Sequence, residues 1–541
     1  MLIILYASTV SLALRQNEIL LNQASYKSSY FWLLFTLLVF LLLFRLEATP
    51  IYILDEARNS ECAREMMQPN DWITPTFNGE LRTDKPPLHY FFMIVAYKMF
   101  GVNEFAARFF SAVMGLLTVL VTYFYTKRLL NAFTAFCAAV VLVTSSHFLF
   151  EFRLAVPDPY LIFFITLGLF SAFTWLQENK ISQLYIATVA FGLATLAKGP
   201  VALALPGLCV LIWIAFTKKW KVGFTWHLIP AFVLLCVITL PWYIAVDKAT
   251  NGEWTKGFFI ENNLNRFSSP QEGHGGFFLF PVLFVLIGLL PFMSFIGETI
   301  KQRKKIFQNQ LVQFSAVVVL SFIAFFSISS TKLPNYPMPC YAFAAVVLGS
   351  FIASLLNKEI TSKKYPCFIV LLFTLLIPIA GYFAIAREAE AKEINWLSLF
   401  LLITPLILIV AVFIKNNWQE RLSVIFIAYC FFNIIGLHFF YPALYKQNPV
   451  AKTINIVKQY PNIYAYNIFN PGYRFYLDKN IPRTYDVNTL KHWLDSTRNA
   501  IVITRLNYLD SLKALPLQEI ARHHDIFELP TTVILKNNAK P

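Results

Sequence analysis

DEARNSECAREMMQPNDWITPTFNGELRTDKPPLHY, running from Asp55 to Tyr90, is a polar, charge-rich stretch about one helical hairpin long, set between two long apolar runs. Asp55 and Glu56 follow the first apolar run almost at once, and Lys85-Pro86-Pro87 leads into the next. A membrane protein has no structural need for so many ionisable groups at one water-facing end of its first helix. Carboxylates and cations gathered at a membrane face suit chemistry on a charged lipid headgroup. The plainer alternative is an ordinary solvated loop, and the rest of the chain has to decide between the two.

Outside this stretch the 541-residue chain is dominated by apolar residues: 57% are hydrophobic and only 14% are charged, against roughly 25% in soluble domains. Runs this long and apolar satisfy their backbone in lipid only as helices, so the fold class is an all-α polytopic membrane protein. Such runs lie at about 30–47, 102–126, 131–150, 157–176, 181–198, 200–217, 226–246, 277–297, 311–330, 335–356, 366–386, 394–414 and 422–440, thirteen in all. The run at 88–100 is about two-thirds of the ~20 residues a span needs and reads as a helix lying in the interface. Leu2 to Leu14 is too short to span and lacks a basic leader region or a clean cleavage site.

The net charge of +15 does not point to nucleic acid, because the basic residues cluster in short loops between spans. Lys127/Arg128, Lys218/Lys219/Lys221, Lys301/Arg303/Lys304/Lys305, Lys358/Lys363/Lys364 and Lys415/Arg421 all fall on one side when the spans are counted through. This positive-inside pattern places the N-terminus in the cytoplasm and the C-terminus outside. It also puts Asp55–Tyr90, Glu151–Asp158, Lys198, the loop after Asp247 and Thr331–Tyr336 on one outer face. Seven cysteines scattered through or beside the spans argue against a disulfide framework, with Cys62 to Cys340 the one weak pairing.

After Tyr441 short strand-like runs (Ile463–Tyr466, Ala500–Thr504, Thr532–Leu535) alternate with amphipathic helical stretches (Val450–Lys458, Leu490–Leu494). The chain therefore divides into an N-terminal segment at 1–29, a transmembrane domain at 30–440 whose first external loop is 48–101, and a small α/β domain at 441–541 outside the membrane.

Several outer-face residues carry chemistry. Asp55 stands just past a span, as a base for a hydroxyl acceptor or as the N-cap of the helix that follows. Asp158, in Arg153-Leu-Ala-Val-Pro-Asp-Pro, is a second candidate, with capping again the alternative. Lys85, held extended before Pro-Pro, presents an ammonium to a phosphate or snorkels to the interface. Lys198-Gly-Pro breaks a helix and reads equally well as a turn. Arg266 closes a polar outer loop that runs on to Gly273-His274-Gly275-Gly276. Lys332 and Tyr336 are both able to donate to a phosphate. Asp84, Glu80 and His89 lie close in sequence and are the weak candidates for a divalent metal, the one cofactor the sequence admits.

Taken jointly, DEARNSECAREM, DWITPTFNGELRTDKPPLHYF, EFAARFF, RLAVPDPYL, LAKGPVALALPGL, LPWYIAV, ENNLNRF with HGGFF, and FFSISSTKLPNYPMP cover residues 50 to 345 in order. In this the chain resembles the polyprenyl-phosphate-sugar-dependent membrane glycosyltransferases of the GT-C fold, in the protein mannosyltransferase-like branch that includes the lipid A aminoarabinose transferase. The resemblance implies that Asp55 and Asp158 are the essential acidic residues and that Lys85, Arg58, Arg266 and Tyr336 hold the lipid phosphate. It further implies a polyprenyl-phosphate-linked sugar as donor, a lipid A-like lipid, an envelope glycan or a protein as acceptor, and the plasma (inner) membrane as location. Asn59, Phe292 and Asp84 depart from the family pattern, which bears on the acceptor and on any metal near Asp84. The alternative from another class, a membrane lipid or sugar transporter or flippase, predicts internal repeats and charges near mid-span. The charges here sit on one face.

Overall fold

A computed structural model describes residues 26–264, 276–413 and 417–538. Among these, nine helices are long and apolar enough to cross a membrane, beginning with Glu104–Leu129 and ending with Trp418–Tyr445. The expected span at 277–297 is two helices, Phe280–Gly288 and Phe292–Lys301, bent by 112° where Pro291 removes a backbone donor. Counting that pair as one span, ten of the thirteen expected spans are met by helices of full length and apolarity. The three remaining runs form shorter apolar helices, Ser29–Leu43, Ala132–Thr144 and Val201–Thr217.

The shortfall has a local cause in two cases. Ser29–Leu43 stops before its apolar run does, and Arg153 takes over the freed carbonyls: Nη1 donates to those of Leu41, Leu42 and Phe44 at 3.0, 3.0 and 3.1 Å. Ala132–Thr144 ends where the Ser145 side chain caps a separate helix, Ser146–Glu151, by accepting from the Phe148 amide. At the centre of the bundle is Asp158–Glu178, buried over 94% of its most apolar stretch. It packs on Ile181–Lys198 so closely that a Cβ on Gly168 would come within 2.4 Å of the Phe191 ring.

The charged first loop does not form a helical hairpin. It is a helix, Leu54–Met67, followed by a β-hairpin of β1 (Thr76–Phe77) and β2 (Glu80–Leu81). Asn78 and Gly79 at its tip take φ of +57° and +78°, as the two-residue hairpin turn requires. Pro86 and Pro87 then lead into the helix Leu88–Phe100, which buries Tyr90, Met93, Ile94 and Tyr97.

The C-terminal region forms a five-stranded sheet of β3 (Asn462–Tyr466), β4 (Arg483–Thr484), β5 (Ala500–Arg505), β6 (Leu517–His524) and β7 (Thr531–Asn537), in the order β4-β3-β5-β7-β6. β3 runs parallel to β4 and β5, whereas β7 is antiparallel to β5 and β6. Its helix Gly472–Leu477 sits against the first loop, where the Tyr476 hydroxyl accepts from the Ile51 amide at 2.8 Å. All seven cysteines are free thiols, so the Cys62–Cys340 pairing is not formed.

Candidate functional site

The first loop is fixed by ionic groups that have no water to solvate them. Glu56 is 1% exposed, and its carboxylate receives Arg108 Nε at 2.7 Å, Arg108 Nη2 at 2.8 Å and the Ala155 amide at 2.9 Å. Arg108 also donates through Nη1 to the carbonyls of Leu46 and Thr49 at 3.0 and 2.7 Å. A bidentate, fully bonded pair of this kind offsets its desolvation and fixes geometry. It fastens the helix Leu54–Met67 to the segment preceding Asp158, and the buried Asn59 amide adds a bond to the Ala155 carbonyl at 3.3 Å.

Asp55 is the second residue of that helix and is exposed; the N-cap position belongs to Ile53, which makes no side-chain bond. The capping alternative for Asp55 therefore fails. Asp158 opens its own helix behind Pro157 and likewise caps nothing, because its carboxylate receives Lys198 Nζ at 2.5 Å. Lys198 also lies 5.0 Å from the centroid of the Tyr336 ring. Lys198 is thus more than a turn residue: Asp158 and Tyr336 hold its ammonium in place.

Beside this pair is an open cavity of about 170 Å³. Lys85, Lys198 and Tyr336 line it together with Asp84, Ser329, Thr331 and Asn262, and the rest of its lining is largely apolar, Leu161, Ile165, Val201, Leu205, Phe322 and Phe325 among it. Two ammonium groups and a phenol above an apolar slot suit a ligand with an anionic head and a hydrocarbon tail. Glu151, behind the pair, is fully buried, and its Oε1 has no hydrogen-bond partner. Burial first, and then the neighbouring Asp158 carboxylate, push the Glu151 acid up to about 8 against the pull of Lys198. It is protonated at neutral pH, which leaves Lys198 its positive charge uncancelled by a second carboxylate.

Asp55, Arg82 and Lys85 all lie within electrostatic reach of His89. Burial, helped by Arg82 and Lys85, holds the His89 ring well below its usual range, so it is neutral. Arg82 is 5% exposed and bonds Asp84 through Nε at 3.2 Å, while its Nη1 and Nη2 have no hydrogen-bond partner.

The remaining sequence candidates are dispersed. Arg58 is half-buried on the loop helix and does not line the cavity. Lys332 does not line it, and its ammonium donates to the carbonyl of the cavity-lining Ser329 at 2.6 Å. Arg266 lies outside the described residues. Glu80 pairs with Arg483 at 3.1 Å; Asp84 lines the cavity beside Lys85 and pairs with Arg82 at 3.2 Å; His89 is buried with its ring against Tyr90. The three do not converge, and no group of three His, Cys, Asp or Glu residues among those described has the spacing to hold a metal. Lys198, Glu151 and Arg82 were not singled out from sequence as ligand-binding groups. The available signal was an ionisable residue at the end of an apolar run, which costs free energy unless it has a partner.

Residues 31–255 match the dolichyl-phosphate-mannose-protein mannosyltransferase family. The undecaprenyl phosphate-alpha-4-amino-4-deoxy-L-arabinose arabinosyl transferase of Edwardsiella ictaluri is 29% identical over 338 residues, covering 60% of each chain. The enzyme of the same name from an Enterobacter species is 30% identical over 342 residues, 61% of this chain and 60% of that protein. The chain thus spans, in each alignment, 60% of the length of these relatives. The crystal structure of ArnT from Cupriavidus metallidurans bound to undecaprenyl phosphate superposes with a TM-score of 0.79, covering 95% of this chain and 99% of that one at 19% identity. The fold is therefore that of the GT-C membrane proteins, and the chain is a multi-pass membrane protein.

Proposed function

We infer that this GT-C chain, related over residues 31–255 to the dolichyl-phosphate-mannose-protein mannosyltransferases, is a polyprenyl-phosphate-dependent glycosyltransferase. In this reading it moves a sugar from an undecaprenyl-phosphate-type donor to an oxygen nucleophile on an extracytoplasmic lipid, glycan or protein. The observation that carries the reading is the cavity whose lining joins Lys85, Lys198 and Tyr336 to a largely apolar wall. A transporter would place its charges near mid-span, whereas Lys198 and Asp158 stand at the ends of their helices.

The chemistry follows from the donor. Its phosphodiester leaves the anomeric carbon as a phosphate monoester carrying the electrons of the broken C–O bond. The developing charge calls for cations held in a site shielded from bulk water, and Lys85 and Lys198 supply them. The acceptor oxygen attacks the opposite face of the anomeric carbon, so the configuration inverts. For a hydroxyl acceptor, its proton passes to the Asp55 carboxylate. Asp158 keeps Lys198 aimed at the phosphate and makes no contact with the reacting atoms. The positive-inside pattern puts this end of the bundle, and the C-terminal sheet beside it, on the extracytoplasmic face of the plasma membrane.

The test is direct. The purified protein in lipid vesicles is given undecaprenyl-phosphate-linked sugars, 4-amino-4-deoxy-L-arabinose among them, with envelope lipid extract as acceptor and mass spectrometry as readout. Release of undecaprenyl phosphate with a matching mass gain on an acceptor supports the reading. Intact donor under every condition refutes it.

A further inference from the structure

The C-terminal unit touches the first loop through Arg474 and Ile481, and both contacts converge on the strip of chain that leads to Lys85. Arg474, 4% exposed on the helix Gly472–Leu477, pairs with Glu61 at 2.9 Å and with Glu65 at 3.2 Å. Its carbonyl accepts from Arg64 Nη2 at 2.9 Å, and Arg64 in turn pairs with Glu61. Glu65 faces the other way as well. Its carboxylate accepts the Thr76 hydroxyl at 2.8 Å, the Asn78 amide at 2.7 Å and the Gly79 amide at 3.2 Å, so it holds the tip of the β1–β2 hairpin. A second tether runs directly from the sheet. The Ile481 amide donates to Asn78 Oδ1 at 2.8 Å, and Asn78 Nδ2 donates to the Ile481 carbonyl at 2.9 Å. The hairpin is closed by the Arg82 amide donating to the Pro75 carbonyl at 2.9 Å, three residues before Lys85.

We propose that the C-terminal unit positions Lys85, acting through Arg474 on Glu65 and through Ile481 on Asn78, and that Arg474 and Asn78 are therefore positioning residues for the phosphate site. The role assigned to Lys85 rests on the glycosyltransferase reading; the mechanical link does not. A two-stranded hairpin of two residues per strand is not stable by itself, so its place must come from outside it. Here the support from the C-terminal unit is one guanidinium that holds two carboxylates, one reciprocal pair of side chain–backbone bonds and the exposed Arg483–Glu80 ion pair at 3.1 Å, while the Trp254 indole holds the Arg82 carbonyl from the transmembrane side at 2.9 Å. A planar fork suits a grip on two carboxylates, and a lysine in its place has a single ammonium to divide between them.

The experiment uses the full chain in lipid nanodiscs, comparing wild type with Arg474→Gln and with Asn78→Gly. Glycine keeps the left-handed backbone at position 78 and removes the two bonds to Ile481. Amide exchange at Asn78, Gly79 and Arg82 is followed, with the β5 amides as the control for a folded sheet. Both variants are expected to speed exchange at the hairpin by about tenfold while β5 stays protected. Donor KM should rise about five- to tenfold with kcat within about twofold of wild type, whereas loss of folded protein would lower kcat alone. Should Arg474→Gln also open β5, Asn78→Gly decides the matter by itself. Unchanged hairpin exchange in a variant whose β5 is protected overturns the proposal, as does faster exchange with an unchanged donor KM. Sugar transfer missing from the wild type as well would count against the glycosyltransferase reading, and the exchange comparison would still decide the link.

Discussion

Asp158 and Lys198 are 40 residues apart and share one ion pair of 2.5 Å, with side chains 8% and 17% exposed. If Asp158 acts by holding Lys198 at the cavity wall, the two residues are one functional unit and their substitutions will not add. Lys198→Gln removes a charge-assisted contact to the donor phosphate, which costs about 1.5–3 kcal/mol, or ~10- to 150-fold in donor KM. Asp158→Asn leaves the ammonium in place but frees it from its anchor, so a similar loss is expected. Groups in one network couple by ~0.5–3 kcal/mol, and a short, mostly buried pair belongs in the upper half of that range. Taking about 2 kcal/mol, or ~30-fold, for each single change, independent action predicts close to a thousandfold loss in the double variant. The shared unit predicts ~30- to 50-fold, little more than either single change. The assay is initial-rate transfer from a polyprenyl-phosphate sugar by vesicle-reconstituted protein, with KM and kcat resolved for all four members of the cycle. A multiplicative double variant would refute the anchoring argument. So would an Asp158→Asn enzyme that loses kcat while Lys198→Gln behaves as wild type, because Asp158 would then touch the reacting atoms itself.

Glu151 gives a pH signature. It is protonated until the pH reaches about 8, so donor affinity should fall as the pH rises through that value, and Glu151→Gln should flatten this limb. The same shift makes stability fall with pH: the folded pKa lies above the unfolded one, so the contribution is complete below about 4.5 and is lost as the pH passes about 8, which thermal melts of the two proteins will show. Lys85→Ala should raise donor KM about ten- to a hundredfold, whereas Lys332→Ala, whose ammonium is turned to the Ser329 carbonyl, should stay within about threefold; equal effects would contradict the geometry. Asp55→Asn should fold as wild type does and lose ~10²–10⁴ in transfer rate to a hydroxyl acceptor, and a fully active variant would remove Asp55 as the base. A reporter that fluoresces only in the cytoplasm, fused after Pro541, should stay dark, and bright cells would reverse the orientation.

The helices were legible in the sequence because apolar runs in lipid have few alternatives, but their lengths were not. The run read as 30–47 carries Arg45 and Glu47 after Phe44, and what satisfies the carbonyls at the end of its helix is Arg153, more than a hundred residues later. No local pattern carries that information. The run at 131–150 did carry a sign of its break, a Thr-Ser-Ser sequence able to end one helix and cap the next, and hydropathy outweighed it. In the C-terminal region β3, β5 and β7 were readable as apolar runs. β6, Leu-Gln-Glu-Ile-Ala-Arg-His-His, was not, because an edge strand with few buried side chains has no apolar alternation to show. The first-loop hairpin was readable in principle: Asn78-Gly79 is a strong two-residue turn signal, obscured by strands only two residues long.

The site was legible as a list of outer-face ionisable residues but not as a sorting of them, and counting donors shows why. Arg108 and Arg153 look as available in sequence as Lys85 does. In the fold Arg108 uses all three of its guanidinium nitrogens on Glu56 and backbone carbonyls, and Arg153 uses both of its terminal ones, so neither has a strong donor left for a ligand. Lys332 spends a donor on the Ser329 backbone carbonyl and is not itself part of the cavity wall. Lys198 makes one ion pair, rests on one aromatic ring and reaches the cavity wall with donors remaining. An ammonium has three donors and a carboxylate at one side takes only one of them, so the pairing that holds Lys198 in place also leaves it able to bind a phosphate. The same accounting marks Arg82, buried beside the site with both terminal nitrogens unmatched, as a cation whose cost the resting structure does not offset. Which cations hold the fold and which face the ligand is thus set by long-range partners, 40 to more than 100 residues away, and sequence spacing cannot report it.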